Sequence, residues 1–571
     1  MRNAEIARIL RNISILLDMD NVQFKPRAYE KAAISIEALE KEAEKIYAQG
    51  GMKALEQIPG VGESIAEKIE ELIKTGKLEY YEQLHKNAPV DLESLTRIEG
   101  MGPKTIKTLF QKLKITNIDE LEKAANAHKI SQLPGFKKKT EENILRGIEF
   151  AKKSGGRFIL GFTIPLIREI EARLNACPKV KKAVAAGSVR RMRETIGDVD
   201  FLVQSDDPET VADFFVSMPE VVQLIEKGKT KSAVKLKTGM NADIRILPEE
   251  SFGAALQYFT GSKPHNIELR KIAIDKKWKL NEYGIFDAKG QIAGRTEEEV
   301  YEKLGLQWIP PEMRENTGEI ELAKKKQLPE LIGYKDLKGD LQVHSNWTDG
   351  QNSIFEMAEQ AKKNGLEYIV ISDHAKYLAM TGGLDEKGLL KQAKEIAEVN
   401  KQLEGITILQ GVELNILKDG SLDVSDEALK NLDVASAGVH SHFDMTKEEM
   451  TKRVLKAIEN PSVDILVHPT GRQIQKREPI QLDIEMAIDA AKANGTILDI
   501  DSYPDRLDLK DEHIRKAVEA GVKLGISSDS HSTVHMHYLE FGVAQARRGW
   551  ATAKDIVNTR TAADFKKTLK D

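Results

Sequence analysis

One cysteine in 571 residues leaves no internal disulfide to form. With no histidine close to it in sequence, Cys177 reads as a small core residue. No run of about 18 apolar residues occurs, which excludes a membrane-spanning helix from the expectation. The first twenty residues have helical spacing but carry Glu5 and Asp18 and no apolar core followed by small residues, so no secretory leader is read and a cytoplasmic address is expected. Charge of one sign is scarce too: 85 Lys+Arg against 90 Asp+Glu give a net of −5, which offers no bulk argument for a polyanionic partner. The total conceals a division. Residues 1–337 hold 55 basic and 52 acidic residues, net +3, whereas 338–571 hold 30 and 38, net −8. The basic loops Lys137-Lys138-Lys139 and Lys227 to Lys237 therefore matter more than the sum. A chain of this length, 41% hydrophobic and 31% charged, is too long for one core and should divide into three or more domains.

What is present falls into two chemistries. Residues 1–85 read as short helices broken at Pro59-Gly60 and Thr75-Gly76. Aligning the glycine loops reveals a partial repeat: Ile58-Pro59-Gly60-Val61-Gly62, Ile98-Glu99-Gly100-Met101-Gly102 and Leu133-Pro134-Gly135-Phe136-Lys137, each before a helix-like segment. Glycine lets the chain turn tightly between helices, and the first N–H groups of the next helix have no intrahelical partner. Such a loop can hold a phosphate without reading a base. One loop of this kind is an ordinary turn; three favour tracking of a phosphate backbone through Gly60, Gly62, Gly100, Gly102 and Gly135.

From residue 156 the pattern mixes strands and helices, with strands expected at 183–186, 199–203 and 242–247. Asp198 and Asp200 are two apart, so on a strand they share a face, and Asp243 on a neighbouring strand can join them. Three converging carboxylates suit hard Mg²⁺ or Mn²⁺ and are costly to assemble without a cation. Two such ions would activate an attacking hydroxyl and stabilise a leaving pyrophosphate. Gly187-Ser188 offers close backbone approach and a hydroxyl to a triphosphate, and Arg191 a permanent cation. The charged stretch 316–337 reads as a linker.

Nine of the twelve histidines lie in residues 338–571, most of them where an apolar run ends: Leu341 to His344, Tyr368 to His374, Ala435 to His440, Ile465 to His468 and Leu524 to His531. Each run precedes a helical pattern, as in repeated βα units that close into a parallel barrel and gather ligands at one rim. Mixed histidine and carboxylate donors suit Mn²⁺, Zn²⁺ or Fe. Arg472 and Arg477, after His468, are candidates for holding substrate phosphates or are solvated loop residues.

These segments resemble known families. Pro59 to Ile69, with Phe24-Lys25-Pro26-Arg27-Ala28-Tyr29 upstream, is similar to the small N-terminal domain of family X DNA polymerases. The resemblance implies 5′-phosphate contacts at Lys25 and Tyr29 and a 5′-deoxyribose phosphate lyase nucleophile at Lys68. Ser64 stands where the family has a second lysine, so a lyase and a solvated helix lysine both stay open. The Gly187-Ser188 and aspartate segments resemble the same family's nucleotidyltransferase palm. Tyr258-Phe259-Thr260-Gly261-Ser262 resembles its sugar gate, and Asn266 and Arg270 its contacts to the nascent base pair and template. The C-terminal part is similar to a polymerase and histidinol phosphatase (PHP) domain. That resemblance implies one metal at Gln342, His344, Glu413 and Asp529, a second at Asp349, His374 and His531, and a third shared by Glu413 with His440 and His468. Gln342 departs from the family's usual histidine and implies a weak first site.

The expected fold is thus multidomain α and α/β. Helix-hairpin-helix domains occupy 1–85 and 86–155, a palm of mixed sheet plus helices 156–250, a thumb 251–315, a linker 316–337 and a distorted (β/α)₇ PHP barrel 338–571. The expected function is dNTP addition to gapped or nicked DNA in repair, with a Mn²⁺-dependent 3′-5′ exonuclease and abasic-site or 3′-end processing in the barrel, by a nucleoid-associated monomer. A nucleotidyltransferase of another acceptor joined to a phosphomonoesterase, and a DNA-end binding scaffold, are the alternatives.

Overall fold

Apolar residues at helical spacing along Asn3–Met19 (Ile6, Leu10, Ile13, Leu17) bury against Tyr29, Ala33 and Ile36 of Lys25–Glu37 and against Ile65, Ile69 and Leu72 of Glu63–Thr75. A second cluster of Leu16, Ile98, Met101, Ile106, Leu109, Leu121 and Ile144 holds the next helices. A computed structural model describes residues 3–37, 39, 42–96, 98, 101–153, 156–377 and 381–570. Gly100 lies outside the described residues. The chain forms two compact units: Met1–Gly155 with Gln473–Glu478 and Ser532–His535, and Gly156–Arg472 with Pro479–His531 and Met536–Asp571.

In the first unit Gly62 and Gly102 cap the N-termini of Glu63–Thr75 and Pro103–Leu113 with extended backbone. Pro103 at the first helical position has no N–H to leave unpaired. Gly60 and Gly135 have positive φ, +78° and +88°, which other residues adopt at a cost.

The second unit opens with a five-stranded sheet in the order Lys182–Ala185, Asp198–Gln204, Asn241–Leu247, Lys231–Leu236, Val221–Lys227, in which only the Asp198–Gln204 and Asn241–Leu247 pair is parallel. Helices Glu249–Thr260 and Lys263–Asp275 follow, with a three-stranded antiparallel sheet spanning residues 279–293.

The expected linker is built into this unit. Pro311–Met313 and Glu319–Lys325 are helical, and Met313, Ile320 and Ala323 join the cluster that contains Leu269, Tyr301 and Trp550. Glu319, fully buried, meets His265 Nδ1 at 2.7 Å, while His265 Nε2 lies 2.9 Å from the Tyr301 hydroxyl. Burying a large aliphatic side chain contributes about 1.5–3 kcal/mol, comparable with the cost of about 1–2 kcal/mol for fixing the backbone of each residue, so several buried side chains together hold the segment. Charge density marks a linker in the sequence, but the charges other than Glu319 lie on the outer face while Ile320, Ala323, Ile332 and Leu337 face inward.

Seven parallel strands follow in sequential order: Gly339–Val343, Tyr368–Ile371, Thr407–Asn415, Val434–Gly438, Ile465–Leu466, Ile497–Asp501 and Leu524–Ser527. A parallel bridge of Val343 with Ser530 brings the last strand's continuation beside the first, so the barrel is nearly closed. All strands but the first residue of Thr407–Asn415 are buried throughout, the run of Val, Ile and Leu that a sheet covered on both faces requires. Ion pairs fasten the barrel to the preceding domains of its own unit: Arg168 with Glu540 at 2.7 Å, Arg547 with Glu312 at 2.7 Å and Arg472 with Glu194 at 2.8 Å.

Candidate functional site

Parallel pairing sets Asp200 directly beside Asp243 and Asp198 beside Asn241, so the three carboxylates share one sheet face by the alternation of the strands. Burial pushes the Asp200 carboxyl up to about 6, helped by the charges of Asp198 and Asp243; burial also raises Asp243. Gly187, at φ +62°, sits so close that a Cβ there would lie 3.0 Å from Asp200 Oδ2. Glycine is therefore the residue that lets this turn approach the carboxylates.

Ser188 follows in the short helix Gly187–Arg190. Arg191 is more enclosed than its sequence suggested: Nε lies 3.1 Å from Glu315 Oε1, Nη1 donates to the Thr260 carbonyl, and burial lowers its pKa. Tyr258 and Phe259 end the helix Glu249–Thr260 with rings in edge contact, and the Arg245 guanidinium lies over Phe259 at 5.2 Å. Asn266 donates to the Tyr258 carbonyl at 2.7 Å and accepts from Gln257 at 2.7 Å; Arg270 Nε donates to the Asn266 carbonyl at 3.3 Å. Asn266 thus ties the two helices together across the turn at Gly261 (φ +70°).

In the helical unit Lys25 and Tyr29 lie one turn apart on the helix Lys25–Glu37 and share a face. The Tyr29 ring stacks on Tyr80 at 6.3 Å, and Lys68 Nζ lies 5.1 Å from the same Tyr80 ring while donating to the Ser64 carbonyl (3.0 Å) and hydroxyl (3.1 Å). Burial raises the Tyr29 phenol to about 12. A Cβ at Gly62, Gly102 or Gly135 would meet nothing within 4 Å, so packing does not demand glycine there; at Gly60 it would strike Lys31.

At the barrel rim the side chains gather as the sequence order suggested. His344, His374, His440, His468 and Asp529 lie one to three residues past the ends of their strands, the place where barrel enzymes carry their sites. Glu413 faces four histidines: His344 Nε2 at 3.3 Å, His374 Nδ1 at 3.2 Å, His440 Nε2 at 2.7 Å and His468 Nε2 at 2.9 Å. Asp529 lies 3.1 Å from His344 Nε2, and Asp349 lies 3.4 Å from His374 and 3.5 Å from His531. Gly438 is required for this crowding, since a Cβ would lie 2.7 Å from His468 Cε1 and 3.0 Å from His440 Cε1.

The donors fall into three groups whose ligand atoms lie within 4.8 Å of one another: His344, Asp349, His374 and His531; His374, Glu413 and His440; and His344, Glu413 and Asp529. His344 has both ring nitrogens buried without a full hydrogen-bond partner, as have His374 Nδ1, His440 Nδ1, His468 Nδ1 and Gln342 Oε1. Buried polar atoms normally have partners. Burial would hold the His344 pKa down, but Asp529 and Glu413 lift it well above the ordinary value; burial would raise Glu413, yet the facing histidines hold it well below. Divalent cations fit this set, replacing protons between nitrogen and oxygen. Gln342, fully buried beside Asp529, points only a neutral amide at the His344, Glu413 and Asp529 group.

Arg472 is not available to a substrate. Its Nε donates to the Arg506 carbonyl at 2.9 Å and Nη2 reaches the Leu507 carbonyl and Glu194, so its charge is spent on bracing a loop. The group that does reach the rim is Arg506, whose Nε lies 3.5 Å from Asp529 Oδ2. Extending the strand-end rule to Ile497-Leu498-Asp499-Ile500-Asp501 and the loop after it would have found it; the histidine criterion passed over that strand because it ends in aspartates.

Four family descriptions match the chain: a helix-hairpin-helix domain over residues 1–78, a SAM-like helix-hairpin-helix tandem over 92–149, the DNA polymerase beta thumb over 255–315 and the PHP domain over 340–492. Among curated proteins, the DNA polymerase/3′-5′ exonuclease PolX of Bacillus subtilis (strain 168) is 37% identical over 576 residues, covering the whole of both chains. A probable phosphatase of Thermoanaerobacter sp. (strain X514) is 32% identical over 230 residues, 38% of this chain and 89% of that protein. A probable phosphatase of Acetivibrio thermocellus is 34% identical over 188 residues, 32% of this chain and 73% of that one.

Proposed function

This chain belongs to the PolX-type family X DNA polymerases, with helix-hairpin-helix domains, a polymerase beta thumb and a C-terminal PHP domain, and from that membership we propose that it fills short gaps in DNA with dNTPs and trims 3′ ends in the barrel. The observation that carries the reading is the pairing of Asp200 with Asp243 on one face, below Gly187, beside the Tyr258 to Gly261 turn. Asp198, Asp200 and Asp243 would hold two Mg²⁺ or Mn²⁺ ions, which when bound neutralise charge on the attacking and leaving oxygens of a nucleotidyl transfer. Ser188 and the Gly187 turn orient the triphosphate, and Arg191 exchanges its Glu315 partner for phosphate oxygens. Tyr258 and Phe259, fixed by Asn266, stand against the sugar of the incoming nucleotide, and Arg270 faces the template side. Gly60, Gly62, Gly100, Gly102 and Gly135 contact the phosphates of a gapped or nicked duplex.

In the barrel, Gln342, His344, Glu413 and Asp529, then Asp349, His374 and His531, then Glu413, His440 and His468 would hold two to three ions, Mn²⁺ first and Zn²⁺ or Fe as substitutes. Such ions lower the pKa of a bound water for attack on phosphorus. The likeness of this region to two probable phosphatases supports a second activity on 3′-phosphate ends. Lys68, beside Tyr80 and close to Tyr29, is the nucleophile for a 5′-deoxyribose phosphate, with Lys25 and Tyr29 holding the 5′-phosphate.

A labelled one-nucleotide gap tests the reading. With Mg²⁺ or Mn²⁺ and dNTPs the product should be longer by one nucleotide, with rNTPs far less so, and without nucleotides the 3′ strand should shorten. Equal use of rNTPs would favour another acceptor, and no change in length would reject the polymerase. The same gap carrying a 5′-deoxyribose phosphate should yield a borohydride-trapped adduct that Lys68→Ala loses.

A further inference from the structure

Two arginines sit within one loop network of the barrel, and the structure uses them differently. Arg472 is 9% exposed at the side chain and donates to two carbonyls and Glu194. Arg453, buried, is spent in the same way through Nε, Nη1 and Nη2, and buried Arg314 leaves just its Nη2 without a partner among the described residues. Arg453 donates to the carbonyls of Leu417, Ser441 and Ile416, and Arg314 to Ile309 and Glu297. Arg506 is the exception. Among the described residues its ion-pair neighbours are Asp529 Oδ2 at 3.5 Å and Asp501 Oδ2 at 3.6 Å, both reached through Nε, and 23% of its side chain is exposed. Neither Nη makes a hydrogen bond among the described residues.

The backbone of Arg506 is nevertheless fixed. Its N–H donates to the Tyr503 carbonyl at 2.8 Å, and its own carbonyl and that of Leu507 accept from Arg472. A guanidinium carried on a braced backbone, with an unspent pair of Nη groups beside a carboxylate of the His344, Glu413 and Asp529 group, is pre-arranged to receive something. A counter-ion whose only task was to neutralise Asp529 would approach it more closely than 3.5 Å, as Arg190 approaches Glu297 at 2.7 Å. Cations bound at the rim would neutralise Asp529 and loosen even this long pair, leaving the guanidinium for an incoming anion.

We propose that Arg506 is the phosphate-binding residue of the barrel, its two Nη groups grasping non-bridging oxygens of the phosphoryl group held over the rim. The planar fork of an arginine matches two phosphate oxygens, which a lysine matches only as a point charge. The role falls to Arg506 and not to Arg472, because both Nη groups of Arg506 are free beside Asp529, whereas Arg472 is turned to the Arg506 and Leu507 carbonyls and to Glu194. The proposal rests on the reading of the barrel as a phosphoesterase and deepens it, and the phosphoryl group it names belongs either to a scissile diester or to a terminal monoester.

The test uses the full chain loaded with Mn²⁺, with Asp198→Ala and Asp200→Ala to silence the palm, and compares Arg506→Gln and Arg506→Lys. Elemental analysis gives the metal content, calorimetric titration with inorganic phosphate gives the affinity, and steady-state rates are taken on DNA ending in a 3′-hydroxyl and in a 3′-phosphate. Arg506→Gln should keep its metal, lose about ten-fold or more in phosphate affinity and raise KM by a similar factor. Arg506→Lys should recover part of both. A rise in KM on the 3′-hydroxyl substrate assigns the diester, and a rise confined to the 3′-phosphate substrate assigns the monoester. Unchanged affinity and KM at full metal content overturn the proposal. So does a defect that excess Mn²⁺ restores completely, which would make Arg506 a positioning residue for Asp529. If the parent protein hydrolyses neither substrate, the phosphoesterase reading fails by itself, while the titration still decides whether Arg506 binds phosphate.

Discussion

A single buried carboxylate gives the palm a pH dependence whose sign can be worked out. Asp200 is pushed up to about 6 by burial first and by Asp198 and Asp243 second. Its folded value exceeds the unfolded one of about 4, so its contribution to stability is full below about pH 4 and is lost as pH rises through about 6. Asp200→Asn should therefore stabilise the metal-free protein at about pH 8, by at most about 3 kcal/mol, and by about half as much at about pH 5. Thermal melts in chelator at both values check this, and an equal gain at both would refute it. At the other centre, a neutral amide at Gln342 stands beside Asp529, where a ring nitrogen would bind a divalent ion more firmly. Gln342→His should raise the metal content by elemental analysis and lower the Mn²⁺ needed for half-maximal 3′-end removal several-fold. No change in either would make Gln342 an adequate ligand or a bystander.

Secondary-structure elements explain why some of this was legible in the chain and some was not. Strand-end histidines announced the barrel because parallel strands buried on both faces leave apolar runs, and a ligand-type residue after such a run has few other reasons to be there. The aspartate triad was legible from a spacing of two and the strand alternation, and the structure does bring Asp198, Asp200 and Asp243 to one face. What escaped was set by tertiary partners: the burial of Glu319 against His265, the spending of Arg472 on carbonyls and the freedom of Arg506. The glycine loops give an element-scale prediction. Gly62 and Gly102 have negative φ and open space where a Cβ would go, and serine is a good helix N-cap. Gly62→Ser with Gly102→Ser should leave Tm unchanged or slightly higher yet weaken binding to gapped DNA, because the new side chains occupy the phosphate approach. About three phosphate contacts would make parent affinity fall roughly 40-fold between about 50 and 200 mM salt, and the variant should show a shallower slope. An unaltered slope would remove these loops from the interface.

The whole molecule carries two metal chemistries on separate scaffolds of one compact unit, the palm sheet and the barrel rim, fastened by ion pairs that involve none of the proposed metal ligands. Nothing in either donor set is shared: Asp198, Asp200 and Asp243 belong to two adjacent strands, and the barrel's groups draw on its own strand ends. Removing one set should therefore spare the other, provided the fold survives. Asp198→Ala with Asp200→Ala takes away two carboxylates at the start of the Asp198–Gln204 strand, and should abolish nucleotide addition while nuclease activity persists. His344→Ala and His468→Ala each open space at the fully or nearly buried rim, and should cut 3′-end removal by about 100-fold or more while extension is kept. Melting temperature and metal content must accompany both assays, since a cavity of imidazole size can cost about 2–4 kcal/mol. If the palm variant lost its nuclease with the barrel still folded and metal-loaded, the two activities would have to share a site. If the barrel variants kept full exonuclease rates, the hydrolysis would have to be assigned to the palm.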